Sequence, residues 1–149
     1  MFSSQYDVYR NVRMDMLPTV FERNHIWIGT KLASPMAEQI KEYLARRASS
    51  KQVRPLVIAV VTDGKPQDEG DLADVIINAT HHLRNPNELH IVFLQVGTDE
   101  ESYKKLSKLD NRLLSHGARY DIVSVMPFQE LTRMGLTRAL LSVVRQPRY

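Results

Sequence analysis

The sequence predicts a single α/β domain built on a parallel sheet of about three strands, with helices on both faces of the sheet. Two observations predict this fold. Short apolar runs recur along the chain, and segments with a helical spacing of apolar residues separate them. Strands that alternate with helices pair in parallel, through right-handed crossover connections. The pattern covers residues 31–149, whereas residues 1–30 form a poorly defined segment whose periodicity is broken by Pro18.

The first predicted helix and strand occupy residues 35–48 and 56–61. Ser34 is a typical N-cap, and Pro35 suits the first position of a helix. The inward stripe of this helix consists of Met36, Ile40, Tyr43 and Leu44. The sequence of residues 56–61 is LVIAVV, a continuous apolar run rich in β-branched side chains. Such a run predicts a strand that is buried on both faces.

The remaining elements continue the alternation of helix and strand. Further helices are predicted at residues 71–83, 98–113 and 130–144. Further strands are predicted at residues 89–96 and 121–126. The positive end of a helix dipole favours negative charge, and three acidic residues crowd the start of the helix at 71–83, namely Asp68, Glu69 and Asp71. Thr98 and Glu101 form a capping-box pattern, and Gly117 is the predicted left-handed residue after the helix that follows them.

Composition and charge exclude several classes of protein. The chain has no cysteine, which removes disulfides, zinc–thiolate sites and thiol catalysis and fits a cytoplasmic protein. No apolar stretch approaches the roughly 18 to 20 residues of a membrane-spanning helix, and the start lacks a signal-peptide pattern. The net charge is +3, and the basic residues show neither a pattern of interleaved aromatic residues nor a nucleic-acid-reading motif. We therefore expect neither a membrane nor a nucleic acid as a partner.

The clearest chemical feature directly follows the strand at residues 56–61. The sequence TDGKPQD places Asp63 at the carboxyl end of that strand and Gly64 in the turn after it. In open α/β sheets, ligands bind beyond the carboxyl ends of the strands. Carboxylate and hydroxyl oxygens suit hard cations such as Mg²⁺, Ca²⁺ or Mn²⁺. No serine nucleophile elbow, P-loop or GxGxxG motif is present, so no catalytic residue is assigned.

Taken in order, these motifs resemble the von Willebrand factor A (vWA) family, and especially its intracellular, fungal-type members. The resemblance rests on IGTKL at residues 28–32, VIAVVTDGKPQD at 57–68, LHIVFLQVGTDEESYKKLSKLDNRL at 89–113 and GARYDIV at 117–123. It covers about residues 26–145, and the ordered set of motifs carries it rather than any single one. The resemblance implies a three-layer, Rossmann-like domain. This chain would be the C-terminal part of that domain, without roughly the first three of the family's six strands.

The resemblance also implies a metal-ion-dependent adhesion site. The family builds this site from an Asp-x-Ser-x-Ser after the first strand, a Thr before a central helix and an Asp after the fourth strand. Thr30 matches the second element and Asp63 matches the third, but no Asp-x-Ser-x-Ser occurs in the chain. Two protein ligands are few for a Mg²⁺ ion, which demands near-octahedral coordination. Binding of Mg²⁺, Ca²⁺ or Mn²⁺ is therefore expected to be weak or absent.

The leading functional hypothesis is a protein-interaction module of the adhesion type, and not an enzyme. In the family's sheet the strand at residues 56–61 would pair with the missing first strand, so we expect a bare edge and a homodimer, with residues 1–30 helping to cover the gap. The alternative is a Mg²⁺-dependent phosphoryl-transfer enzyme that uses Asp63, as in receiver or haloacid-type folds. Such an enzyme needs further acids and a lysine at the same rim. A third hypothesis is a purely structural unit that self-associates.

Overall fold

The computed structural model describes residues 31–50, 52–62, 66–95, 97–135, 138–139 and 141–142. Within these residues the chain forms a three-stranded parallel sheet and four helices, which confirms the predicted α/β class. The helices are α1 (Ala33–Ser49), α2 (Glu69–His82), α3 (Glu100–Leu113) and α4 (Phe128–Met134). The strands are β1 (Leu56–Thr62), β2 (Leu89–Gln95) and β3 (Val123–Met126), in the order β1-β2-β3. Among the described helices, none is both long and apolar enough to cross a membrane.

One face of the sheet carries the main hydrophobic core. Because strand side chains alternate between faces, Ile91 and Phe93 of β2 point to the same side as Val123 of β3, and all three pack in this core with α1, α2 and α3. The buried stripes of the helices follow the predicted spacing: Met36, Ile40 and Tyr43; Leu72, Ile76 and Ala79; Leu106, Leu109 and Leu113. Each fully buried large apolar side chain contributes about 1.5–3 kcal/mol. This core therefore fixes the three helices on one side of the sheet.

The opposite face carries a smaller apolar cluster. Val92 and Leu94 of β2 are fully buried there together with Met126 of β3 and Ala139, and Leu131 of α4 packs against them. Helices thus cover parts of both faces of the sheet, as the sequence predicts.

The first strand differs from its prediction in one respect. β1 lies at an edge of the described sheet, and its burial alternates along the strand. Val57 and Val61 are 38% and 39% exposed and Ala59 is exposed as well, whereas the side chains between them pack partly against the main core. The strand buried along its whole length is β2. The prediction that residues 56–61 are buried on both faces is wrong, because an apolar run does not reveal whether other elements cover each of its faces.

The boundaries of the first and last helices also differ from their predictions. The helix predicted at residues 130–144 is interrupted, because α4 ends at Met134 and Gly135 takes a φ of 76°. The N–H of Gly135 donates to Leu131 O at 2.9 Å, and helical hydrogen bonding resumes when Ala139 N–H donates to Gly135 O at 3.0 Å. At the other end of the chain, α1 begins at Ala33 with Leu32 at the N-cap position. The prediction of Ser34 as the N-cap is therefore wrong.

The turn after α3 agrees with its prediction, but the start of that helix does not. Gly117 has a φ of 106°, the left-handed region that favours glycine. The N-cap of α3 is Asp99, whose side chain accepts a hydrogen bond from Glu101 N–H, so the predicted Thr98–Glu101 capping box is not formed. Aspartate is as good an N-cap as serine or threonine, which explains why it can replace Thr98 in that role.

Candidate functional site

The carboxyl ends of the strands form the edge at which the sequence predicts a ligand site. β1 ends at Thr62 and β2 ends at Gln95, and these two residues are buried partners in the parallel ladder. Thr30 and Asp63, the two predicted metal ligands, lie outside the described residues. At the carboxyl ends of the strands, the structure describes the starts of the helices and the polar side chains around them. We call this set of residues the frame of the predicted site.

Asp68 is the central polar residue of this frame. Its Oδ1 accepts a hydrogen bond from Leu32 N–H at 2.9 Å, and its Oδ2 accepts one from Ala33 N–H at 2.8 Å. Asp68 occupies the N-cap position of α2, yet its side chain makes no capping bond to that helix. The Asp68 carboxylate thus caps the start of α1, although Asp68 lies 36 residues after Leu32 and 35 residues after Ala33 in the sequence.

The two hydrogen bonds that the Asp68 carboxylate accepts from Leu32 and Ala33, called here the Asp68 bridge, stabilise the start of α1 in two ways. The first N–H groups of a helix have no partner inside the helix, and the helix dipole favours a negative charge at that end. Leu32 and Ala33 are almost fully buried, so water has little access to replace the carboxylate. Thr30 precedes Leu32 by two residues and Asp63 precedes Asp68 by five. The bridge therefore joins the two described segments that flank the predicted metal ligands.

A second capping arrangement stands at the end of β2. Asp99 accepts a hydrogen bond from Glu101 N–H at 3.3 Å, and the fully buried Ser102 hydroxyl donates to the Asp99 carboxylate. The Gln95 side-chain amide donates to Asp99 O at 2.9 Å, which connects the last residue of β2 to the start of α3. Gln95 and Asp99 thus fix the start of α3 to the end of β2.

This arrangement bears on the chemistry of the edge. Across the ranges that the structure covers, no group of three or more His, Cys, Asp or Glu residues has a geometry suited to hold a metal ion. Asp68 and Asp99 stand at the starts of different helices. At this edge the described carboxylates of Asp68 and Asp99 therefore act as helix caps.

The amino ends of the strands hold a separate polar cluster, on the opposite edge of the sheet. The Arg47 guanidinium forms an ion pair with Glu88 at 2.8 Å and also donates to His82 O, the last residue of α2, at 2.6 Å. The same Glu88 oxygen accepts a hydrogen bond from Arg84 N–H at 2.7 Å. Burial raises the pKa of Tyr43, and the nearby Glu88 carboxylate adds to that rise. This cluster ties α1, α2 and the start of β2 together.

A polar cleft of about 380 Å³ lies beside β3 and α4. Its polar lining comes from Asp110, Ser124, Glu130, Arg133 and Ser142. Burial raises the pKa of Asp110 to about 6, and the negative charge of Asp121 contributes to the rise. Shifted carboxyl groups of this kind occur in functional sites and also in structural clusters. Within the part of the chain that the structure describes, the lining of this cleft contains no cysteine, histidine or lysine.

Sequence reasoning does not identify the roles of Asp68 and Asp110. The position of Asp68 before a helix predicts an interaction with the dipole of α2, whereas its hydrogen bonds go to α1. The start of α1 is the one sequence feature that points to the role of Asp68. Leu32 has no side-chain oxygen to cap the helix, so an acceptor from elsewhere in the chain is required. The shift at Asp110 depends on burial and on a neighbour 11 residues away, neither of which leaves a local pattern.

Comparison with protein-family models and with curated protein sequences gives no match to this chain. The resemblance to the vWA family consequently rests on the ordered motifs alone.

Proposed function

We propose that this protein is an interaction module of the adhesion type that self-associates through β1. In this proposal its metal site is incomplete, because Thr30 and Asp63 match two of the three elements that such a site needs. The motif order and the α/β architecture support the proposal together. A cytoplasmic location, in keeping with the absence of cysteine, belongs to the same proposal.

One observation carries the proposal, namely the exposure of β1. Exposed edge strands are normally protected by charged side chains, proline or a bulge, because a bare edge pairs with other strands. From Leu56 to Thr62, β1 contains no charged residue and no proline, and Val57, Ala59 and Val61 are exposed. In the part of the chain that the structure describes, no strand pairs with the outer edge of β1. A partner strand at this edge would pair with the unpaired backbone and would place its own side chains beside Val57, Ala59 and Val61.

Light scattering coupled to size-exclusion chromatography tests self-association directly. We expect a dimer for the natural chain and a monomer for Val57→Lys and Val61→Lys, because lysine on an edge strand opposes strand pairing. Leu114→Lys is the matched control, since Leu114 is also an exposed large apolar residue but follows α3 rather than lying in β1. A monomeric natural chain at high micromolar concentration would refute the proposal, as would equal effects of all three lysines.

Calorimetry with Mg²⁺ tests the metal part of the proposal separately. Two protein ligands predict no saturable heat at millimolar Mg²⁺, and an Asp63→Asn variant should then behave like the natural chain. A saturable heat that Asp63→Asn removes would show a working metal site. Phosphatase activity that requires both Mg²⁺ and Asp63 would instead favour the phosphoryl-transfer alternative. That chemistry needs additional acids at the rim, and the described Asp68 and Asp99 are engaged as helix caps.

A further inference from the structure

The backbone geometry of β1 determines which residues can pair with a new strand. Leu56 N–H donates to Glu88 O at 2.9 Å, so the backbone of Leu56 points towards β2. Because backbone direction alternates along a strand, the N–H and C=O groups of Val57, Ala59 and Val61 point to the outer edge. Pro55 precedes this set and has no N–H. Three residues of the outer edge can therefore pair with a new strand, and Pro55 ends this pairing at the amino end of β1.

The two ends of β1 differ in charge. The amino end adjoins a cleft of about 450 Å³ with an apolar wall and the basic side chains of Arg46 and Arg54. Both arginines are exposed, and neither forms an ion pair with any residue that the structure describes. No acidic residue lines this cleft as described. The loop at the carboxyl end leads instead into the acidic start of α2, which carries the exposed Glu69 and Asp71.

We propose that the occupant of this edge is a second copy of the chain, paired antiparallel to β1 about a two-fold axis at Ala59. This inference rests on the self-association proposed above and adds its orientation and register. Val57 of each copy would pair with Val61 of the other, and Ala59 would pair with itself, all three being pairs that exchange two hydrogen bonds. The result is a continuous six-stranded sheet in which the helices α1 to α3 of both copies lie on the same side.

Charge and symmetry both favour the antiparallel arrangement. An antiparallel partner brings its acidic carboxyl end to the Arg46–Arg54 cleft, whereas a parallel partner places the two basic ends side by side. Complementary charges of this kind orient a complex more than they strengthen it. Homodimers are usually closed by a two-fold axis, in which the same patch serves both copies. The outward backbone groups of Val57, Ala59 and Val61 meet that requirement only when the two strands run in opposite directions.

Cysteine cross-linking tests the orientation, and the natural chain has no cysteine to interfere. Directly opposed residues in an antiparallel hydrogen-bonded pair have Cα atoms about 5.5 Å apart, which suits a disulfide. Under mild oxidation we expect Ala59→Cys to form a disulfide-linked dimer by itself. Val57→Cys and Val61→Cys should remain largely unlinked when separate and should cross-link when mixed. Efficient linkage of Val57→Cys to itself, with none to Val61→Cys, would overturn the orientation.

A charge-reversal pair provides the second readout. The Arg46→Glu/Arg54→Glu variant should weaken self-association by about tenfold at low salt, and Glu69→Lys/Asp71→Lys should restore it when the two variants are mixed. Arg133→Glu is the control, because Arg133 lies on α4 and does not line the basic cleft. Weakening without restoration on mixing would count against the antiparallel orientation while leaving self-association intact. A chain that is monomeric in light scattering would instead remove the proposed function itself.

Discussion

Replacing Asp68 by alanine should cost more stability than any other single change of a charged residue at the carboxyl edge of the sheet. The variant loses two backbone-to-carboxylate hydrogen bonds, of 2.9 and 2.8 Å, and leaves the buried N–H groups of Leu32 and Ala33 without their acceptor. Loss of an N-cap costs about 0.5–2 kcal/mol, and a hydrogen bond to a charged group contributes about 1.5–3 kcal/mol. Because one carboxylate makes both bonds, their contributions are not additive, and we expect a loss of about 2–3 kcal/mol.

Urea unfolding followed by circular dichroism measures this loss, and thermal unfolding should show a Tm lower by about 5–10 °C. Glu69→Ala is the matched control, because Glu69 is the next residue, carries the same charge and is exposed at the start of the same helix. It should change stability by less than about 0.5 kcal/mol. Asp68→Asn keeps one acceptor oxygen and should fall between the two. If Asp68→Ala and Glu69→Ala proved equally stable, the bridge to α1 would not exist in solution.

Three further predictions concern other parts of the fold. The pKa of Asp110 is about 6 in the folded state, above the ordinary value of 3.8. The proton on Asp110 therefore stabilises the fold fully below about pH 4, and this stabilisation is lost as the pH rises through 6. Asp110→Asn should therefore be about 1 kcal/mol more stable than the natural chain in urea at pH 8, with the difference shrinking towards pH 4. Arg47→Met breaks the contacts to Glu88 and His82 O and should cost about 2 kcal/mol, whereas the exposed Arg46→Met should cost little in the same titration. Gly135→Ala should lower the Tm through a strain of about 1–2 kcal/mol, since φ is 76° there; an unchanged Tm would contradict the observed helix end.

The class of fold and the helix faces could be predicted from the sequence because they depend on local periodicity. The stripe of α2, for example, contains Leu72, Ile76 and Ala79, and the same residues are buried in the structure. The environment of β1 could not be predicted in this way, because an apolar run of β-branched residues forms equally well at the centre of a sheet and at its edge. The elements that surround β1 are a property of the whole topology, and they decide whether Val57 meets another chain segment or solvent.

The polar frame of the candidate site was harder to predict for a related reason. Capping rules use residues within a few positions of a helix start, and they correctly favour an oxygen-bearing side chain near residue 99. Asp68 acts on a helix that begins 35 residues earlier, so no window along the sequence contains both partners. The capping rule still predicts that the start of α1 needs a hydrogen-bond acceptor, since Leu32 offers none to the N–H groups that begin this helix. Only the three-dimensional structure identifies the residue that provides it.

The bridge at Asp68 and the exposed edge of β1 belong to one continuous segment, but different contacts hold them. β1 is held in register by seven ladder partners on β2, from Leu56 opposite Leu89 to Thr62 opposite Gln95. The end of the following loop is held to α1 by Asp68. Asp68→Ala should therefore lower the Tm and leave the dimer dissociation constant within about twofold, whereas Val57→Lys should abolish the dimer and leave the Tm of the monomer nearly unchanged. Unfolding at matched monomer concentration and sedimentation equilibrium separate the two effects. If Asp68→Ala abolished the dimer as well, the pairing surface would extend beyond β1 into the start of α1.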